Sequence, residues 1–399
     1  MKSKRDLNEL KKLLLLCLSS SWIFANGFDY LNSENQNIIS IQQGIDKLET
    51  KKLKNSWIEP IVASYTYTKG EKTKSIYYKV SLSQPVFKSG GIYFAIKYAT
   101  ANGQFRKLST SITRNALIKR VYELVLTLKK FDLQIAKLNL KIQNSLLDIK
   151  RKKERFVSGD DDISFLNKAM LSLNELKLQL EELKTSRKKL LKSFQAISPY
   201  SYKSVKLPSL VLVSKKEFLK KNLDLESSYA NVKQQNQLKN MTISSYLPTV
   251  SLFGNYNYQK NKVLNIGDWQ KDEFKNYGVM VSMPISINEG RDMEIKKLEA
   301  LKAKLSLKQK QRELKADYES ICEDLKLLEN KRKVTLQSLL LYKDLIKHTK
   351  NAVKAGDKTT LDLKTVKNSK RALEYDLKII EFDKKLTLLK LFEKMGDSL

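Results

Sequence analysis

The chain has 399 residues, 30% of them charged, with 75 Lys and Arg against 43 Asp and Glu for a formal net charge of +32. One histidine and two cysteines leave too few ligands for a zinc centre and no His-based triad with a second imidazole to draw on. Only 13 glycines and 6 prolines interrupt it, a balance that favours long helices over a compact mixed fold.

The N-terminus reads as a secretory signal over residues 1–25. Lys2, Lys4, Arg5, Lys11 and Lys12 form a basic start, Leu13 to Phe24 an apolar run, and Ala25 a cleavage position. At about a dozen residues the run is too short to cross a hydrocarbon layer of roughly 30 Å; an uncleaved anchor is the alternative reading. Leu16 before Cys17 is not the small residue that a lipobox needs, and Cys322, left alone, has no intrachain disulfide partner. Without residues 1–25, which carry five basic and two acidic side chains, the charge is +29. The lysines are spread along helical stretches as solvated faces, so no nucleic acid partner is expected, although anionic lipid headgroups gain from the charge.

Two short strands follow, at about 60–68 and 76–86. Ile61, Ala63, Tyr65 and Tyr67 alternate with Val62, Ser64, Thr66 and Thr68, and Ile76, Tyr78, Val80 and Leu82 with Tyr77, Lys79, Ser81 and Ser83. A helix runs from about 92 to 156, roughly 97 Å at 1.5 Å per residue. A returning helix spans about 163–197, where Leu166, Ala169, Leu173, Leu176, Leu180, Leu183 and Leu190 make a coiled-coil seam interrupted by Arg187. Pro199 and Pro208 break the chain before a further helix at Lys215–Ser244. Strands at about 249–258 and 276–285 come next, then helices at about 291–354, with a seam at Leu314, Tyr318, Ile321, Leu325 and Leu328, and at 360–394. By pseudo-symmetry Ser33–Ser56 completes the set.

The second half thus repeats the first. Trp57-Ile58-Glu59-Pro60-Ile61 answers Tyr246-Leu247-Pro248-Thr249-Val250; Gln84-Pro85-Val86-Phe87 answers Met283-Pro284-Ile285; Gly91 answers Gly290; Arg155-Phe156-Val157-Ser158-Gly159 answers Ala352-Val353-Lys354-Ala355-Gly356. This gives a signal peptide (1–25), a first repeat (26–213) and a second (214–399). Half-polar strands with tyrosines near their ends suit a membrane barrel. Four strands cannot close one, and open edges are forbidden in lipid, so several chains must contribute. Two surface hairpins on a helical protein are the plainer alternative.

Taken in order, the Leu247-Pro248-Thr249-Val250, Gln84-Pro85-Val86-Phe87, Gly90-Gly91 and Gly290, and Arg155-Phe156-Val157-Ser158-Gly159 motifs resemble those of the TolC family of outer-membrane efflux and secretion proteins, over nearly the whole mature chain. The resemblance implies a mainly α protein with membrane β-structure. Long antiparallel coiled-coil hairpins form an α-barrel, and four strands per protomer join a twelve-stranded β-barrel shared by a homotrimer. The implied function is a passive exit duct of a tripartite efflux pump or type I secretion system in the Gram-negative outer membrane, working with a periplasmic adaptor and an inner-membrane pump of RND or ABC type, without a cofactor. It marks Pro60, Pro85, Gly91, Pro248, Pro284 and Gly290 as strand–helix junctions and Arg155, Gly159 and Gly356 as adaptor-contacting tip turns. It matches Lys358 and Asp362 to a basic and an acidic residue that close the tunnel; Phe165 stands where the family has a partner acid, and Asp160, Asp161 and Asp162 lie close enough to substitute.

The residues themselves leave plainer roles open. Thr359 with Asp362 spells a helix-capping pair, Asp161 or Asp162 can cap the other returning helix, and the acidic triplet can be a polar turn. Glycines 159 and 356 suit helix ends that need positive dihedrals. No enzyme is expected: His348 is isolated, Cys322 fits a packing position, phosphate-binding glycine runs are missing, and the carboxylates sit at helical spacing among lysines. Two rivals remain, a periplasmic adaptor with coiled-coil hairpins and a coiled-coil scaffold binding anionic partners.

Overall fold

A computed structural model describes residues 27–263 and 267–396; the leader expected at 1–25 lies outside them. After a 3-10 turn at Gly27–Tyr30, the order is α1 (Ser33–Lys54), β1 (Val62–Lys69), β2 (Thr73–Phe87), α2 (Gly91–Val157), α3 (Ile163–Gln195), α4 (Lys215–Lys220), α5 (Leu223–Ser245), β3 (Thr249–Val263), β4 (Gln270–Ser282), α6 (Glu289–Ala355) and α7 (Thr360–Glu393). Helices α2 and α6 have 67 residues each, about 100 Å at 1.5 Å per residue. The helix expected over 215–244 is split, because Asn222 turns out of helical geometry and caps α5 by accepting from the Leu225 N–H at 2.9 Å.

Two compact units result, and each draws on both halves of the sequence. Of the described residues, one comprises 39–112 and 215–317, the other 27–38, 113–214 and 318–396.

The first unit holds the sheet, antiparallel in the order β1-β2-β3-β4. Residues paired across neighbouring strands share a face, so the register sorts side chains into two sets. One face carries Ala63, Tyr65 and Tyr67 on β1, Ile76, Tyr78, Val80 and Leu82 on β2, Val250, Leu252, Tyr256 and Tyr258 on β3, and Tyr277, Val279 and Val281 on β4. Its tyrosines touch across strands, with ring centroids 5.0 Å apart for Tyr65–Tyr78 and 6.0 Å for Tyr78–Tyr258. The opposite face is mostly polar, with Ser64, Thr66, Lys79, Ser81, Asn255, Asn257, Gln259 and Asn276, but it also carries Val62, Phe253, Phe274 and Met280; there Tyr77 donates to Asn257 at 2.6 Å. Among the described residues both edge strands, β1 and β4, pair on one side only. In the helical part of this unit Asp46 is buried in α1 and accepts from Thr110 at 2.7 Å, Gln42 at 3.0 Å and Arg106 at 3.2 Å. Burial pushes its pKa up, yet these donors outweigh burial and hold the carboxyl below its ordinary value.

The other unit is helical. On α3 the covered positions are Leu166, Ala169, Leu173, Leu176, Leu180, Leu183 and Leu190, the expected seam. Arg187 lies on the same line, with its charge absorbed: Nε meets Asp132 at 2.6 Å, and the Tyr202 hydroxyl bonds both Arg187 and Asp132 at 2.8 Å. Beyond it a core gathers Phe194 and Leu389 with Ile118, Val121 and Leu124 of α2. Phe194→Ala leaves a cavity at a fully buried site; we expect a loss of about 3–5 kcal/mol, read as a lowered denaturation midpoint.

Candidate functional site: the helical tips

The α2–α7 pair in the helical unit is built on a polar repeat. Lys130 bonds Asp383, Lys137 bonds Asp376 and Arg151 bonds Asp362, each at 2.6 Å. Between the second and third of these, Asn144 donates to Ser369 Oγ and the Thr365 carbonyl at 3.2 Å and accepts from Asn368 at 2.9 Å. Positions 130, 137, 144 and 151 lie one heptad apart on α2, as do 383, 376, 369 and 362 on α7, so every rung falls on one line.

The last rung sits at the tips. Both long helices end in the same way. The Gly159 N–H donates to the Phe156 carbonyl and Asp160 N–H to Arg155; Gly356 N–H donates to Val353 and Asp357 N–H to Ala352. Gly159 and Gly356 have φ of 80° and 87°. These are Schellman caps, and the left-handed residue is what glycine supplies without a Cβ penalty.

Each acid of the first tip has a partner. Asp160 accepts from Ser158 at 2.7 Å, Asp161 pairs with Arg155 at 2.9 Å, and Asp162 caps α3 by accepting from the Ser164 N–H at 2.7 Å, which lowers its pKa. At the second tip Asp362 and Thr359 form a complete capping box. The Thr359 backbone N–H, first, then its hydroxyl, then the Arg151 and Lys358 charges hold Asp362 below its ordinary 3.8. Lys358 is exposed and enters no ion pair among the described residues; the cation in contact with Asp362 is Arg151. Arg151 went unmarked in the sequence, although its heptad spacing from Lys130 and Lys137, matched by Asp362, Asp376 and Asp383, is the signal that finds it. Phe156, Val157, Ile163 and Phe165 stand exposed around the first tip.

At the strand–helix junctions, in the sheet unit, Pro60 precedes β1 and Pro248 precedes β3, while Pro284 follows β4. Pro85 lies inside β2, where the pairing slips before Phe87. The turn into α2 is made by Ser89 and Gly90, with φ of 44° and 83°, and not by Gly91, which is already helical. Gly290 likewise lies within α6 without a positive φ, because the helix begins one residue earlier at Glu289.

With this geometry in hand, the solved structures it matches are informative. The outer membrane protein VceC of Vibrio cholerae aligns with TM-score 0.69 at 12% identity, over 92% of this chain and 94% of that one. The CmeC outer membrane channel of Campylobacter jejuni aligns with TM-score 0.67 at 16% identity, over 93% and 86%. The outer-membrane channel OprN gives TM-score 0.67 at 11% identity, over 89% and 86%. No protein-family model matches the sequence, and a search of curated proteins finds no match. The chain therefore has the fold of the outer-membrane channels, mainly helical with a four-stranded antiparallel sheet, as the TolC resemblance implies.

The tip rung yields a signed prediction. Because the folded-state pKa of Asp362 is depressed, its contribution is fully present above about 3.8 and is lost as pH falls through the lower folded value. The protection of amides in the first turn of α7, taken relative to their intrinsic exchange at each pH, should therefore fall at acid pH in the wild type, and Asp362→Asn should remove that dependence. In a double-mutant cycle with Arg151→Ala and Asp362→Ala, a coupling of about 0.5 kcal/mol or more is expected; additive effects would refute the rung.

Proposed function

We propose that the chain is one protomer of a homotrimeric outer-membrane channel, a passive duct reaching from the periplasm through the outer membrane. The observation that carries this reading is the sheet: one face whose middle is tyrosine and aliphatic side chains, an opposite face that is mostly polar, and two edges unpaired among the described residues. Lipid tolerates no free edge, and a polar lumen behind an apolar wall is the arrangement of outer-membrane barrels. Three copies supply twelve strands. Exposed apolar lines on the helices support the same association. Ile38, Ile41, Ile45 and Leu48 follow one side of α1, and Leu327, Val334 and Leu341 recur at heptad spacing on α6.

Such a duct has no energy source of its own. We assign the tips, with Arg155, Gly159, Gly356 and the exposed Phe156 and Phe165, to contact with a periplasmic adaptor. An inner-membrane pump of RND or ABC type would supply the drive, for efflux or type I secretion. Asp362 and Arg151 hold the tips closed in this reading, with Lys358 and the Asp160–Asp162 triplet setting the local charge.

Membrane fractionation and unboiled gel migration of crosslinked protein test the assignment. A heat-sensitive trimer in the outer membrane is expected; a soluble or inner-membrane monomer overturns it. In planar bilayers Asp362→Ala, Arg151→Ala and Lys358→Ala should each raise single-channel conductance, and unchanged conductance in all three would remove the gate role from the tips.

A further inference from the structure

The tyrosine face of the sheet does not end in apolar residues. At the hairpin end, away from the connections to the helices, its register places Lys69, Lys74 and Lys262 directly opposite one another on β1, β2 and β3. The next rung on this face is Tyr67, Ile76, Lys260 and Lys271, and the one after it Tyr65, Tyr78, Tyr258 and Glu273. Like charges in directly opposed positions disfavour the sheet that holds them. No carboxylate relieves them: among the described residues none of Lys69, Lys74, Lys260, Lys262 and Lys271 forms an ion pair, and Glu273 is held by Lys275 at 2.7 Å. Asp272 pairs with Gln259 in the register, which puts it on the other face. Lys69 and Lys271 are exposed and Lys74, Lys260 and Lys262 half-buried, with Lys260 standing over the Tyr258 ring at 5.6 Å.

Depth along the strands identifies the complement. Successive rungs on one face lie about 6.6 Å apart, so the triple-lysine rung is about 13 Å beyond the tyrosine rung. With strands tilted near 45°, that is roughly 9 Å along the membrane normal, past the interfacial tyrosines and within the headgroup layer. We propose that this hairpin-end lysine belt is a docking surface for the phosphate groups of anionic lipids around the barrel, with Lys69, Lys74 and Lys262 as its central row and Lys260 and Lys271 beside it. The inference rests on the membrane reading of the sheet. It explains why unpaired like charges stand in register on the lipid-facing side: phosphates at that depth supply the counter-charge that the chain itself does not.

The test uses full-length protein reconstituted in mixed bilayers, with tryptophan fluorescence quenched by brominated lipids; Trp269 lies one residue before β4, at this end of the sheet. Wild type should select brominated phosphatidylglycerol over brominated phosphatidylcholine. The triple variant Lys69→Gln, Lys74→Gln, Lys262→Gln should lose that selectivity by roughly tenfold or more. Arginine at the same three positions should keep it, and Lys168→Gln, Lys177→Gln, Lys188→Gln on exposed positions of α3 should leave it intact. Selectivity unchanged in the glutamine variant, or lost equally in the α3 variant, overturns the belt, as does full competition by inorganic phosphate. Failure of the membrane reading is distinguishable, because then wild type itself does not fractionate with the outer membrane.

Discussion

Register between α2 and α7 is the constraint on which the helical unit depends, and the heptad ladder sets it. Lys130–Asp383, Lys137–Asp376 and Arg151–Asp362 form partly buried ion pairs, each worth no more than about 1 kcal/mol on its own. Their value lies in what the alternatives cost. Sliding α7 by one heptad in one direction sets Lys130 against Lys390. Sliding it in the other leaves Arg151 opposite a residue before the start of α7, and Lys137 opposite Ser369. The neutral Asn144–Ser369 rung breaks the repetition that would otherwise let a seven-residue slip go unpunished.

The sheet obeys a different rule. A helix satisfies its own backbone, so α2 and α6 can run for 67 residues with neighbours covering only part of them. A four-stranded sheet leaves the outer sides of β1 and β4 unpaired, and its two faces ask for different surroundings. The same chain therefore specifies its helical register internally while leaving its strand pairing incomplete. The proposed association with further copies would answer the second need without disturbing the first.

Much of this was legible in the sequence because hydrophobicity has a period. The α3 seam from Leu166 to Leu190 is a direct projection of which side chains are covered, and the alternation around Tyr78 and Tyr256 of which sheet face each side chain joins. The strand ends were less legible. β2 begins at Thr73 and β3 reaches Val263, beyond the expected 76 and 258, because backbone pairing continues into the lysine rungs where the apolar alternation has stopped. Within the Gly90-Gly91 junction only the dihedrals assign the parts: Gly90 takes the positive φ of the turn and Gly91 begins α2. The split at Asn222 was missed for a similar reason: the cap is a local hydrogen bond within an otherwise helical run. Arg151 was overlooked because its partner lies over two hundred residues away, and only the paired heptads of two helices reveal it.

Asp362 joins these two kinds of information at one carboxylate. Its capping box with Thr359 belongs to α7 alone, with Oδ2 accepting the Thr359 N–H at 3.0 Å, while Oδ1 reaches across to Arg151. The two bonds use different oxygens and serve different ends. Releasing Arg151 leaves the first turn of α7 still capped, so α2 and α7 can part at the tip without fraying either helix, and the rungs at Lys137 and Lys130 keep the rest of the pair in register. A tip built this way separates the contact between α2 and α7 from the cap that ends α7, and its neighbour Lys358 is exposed and unpaired among the described residues.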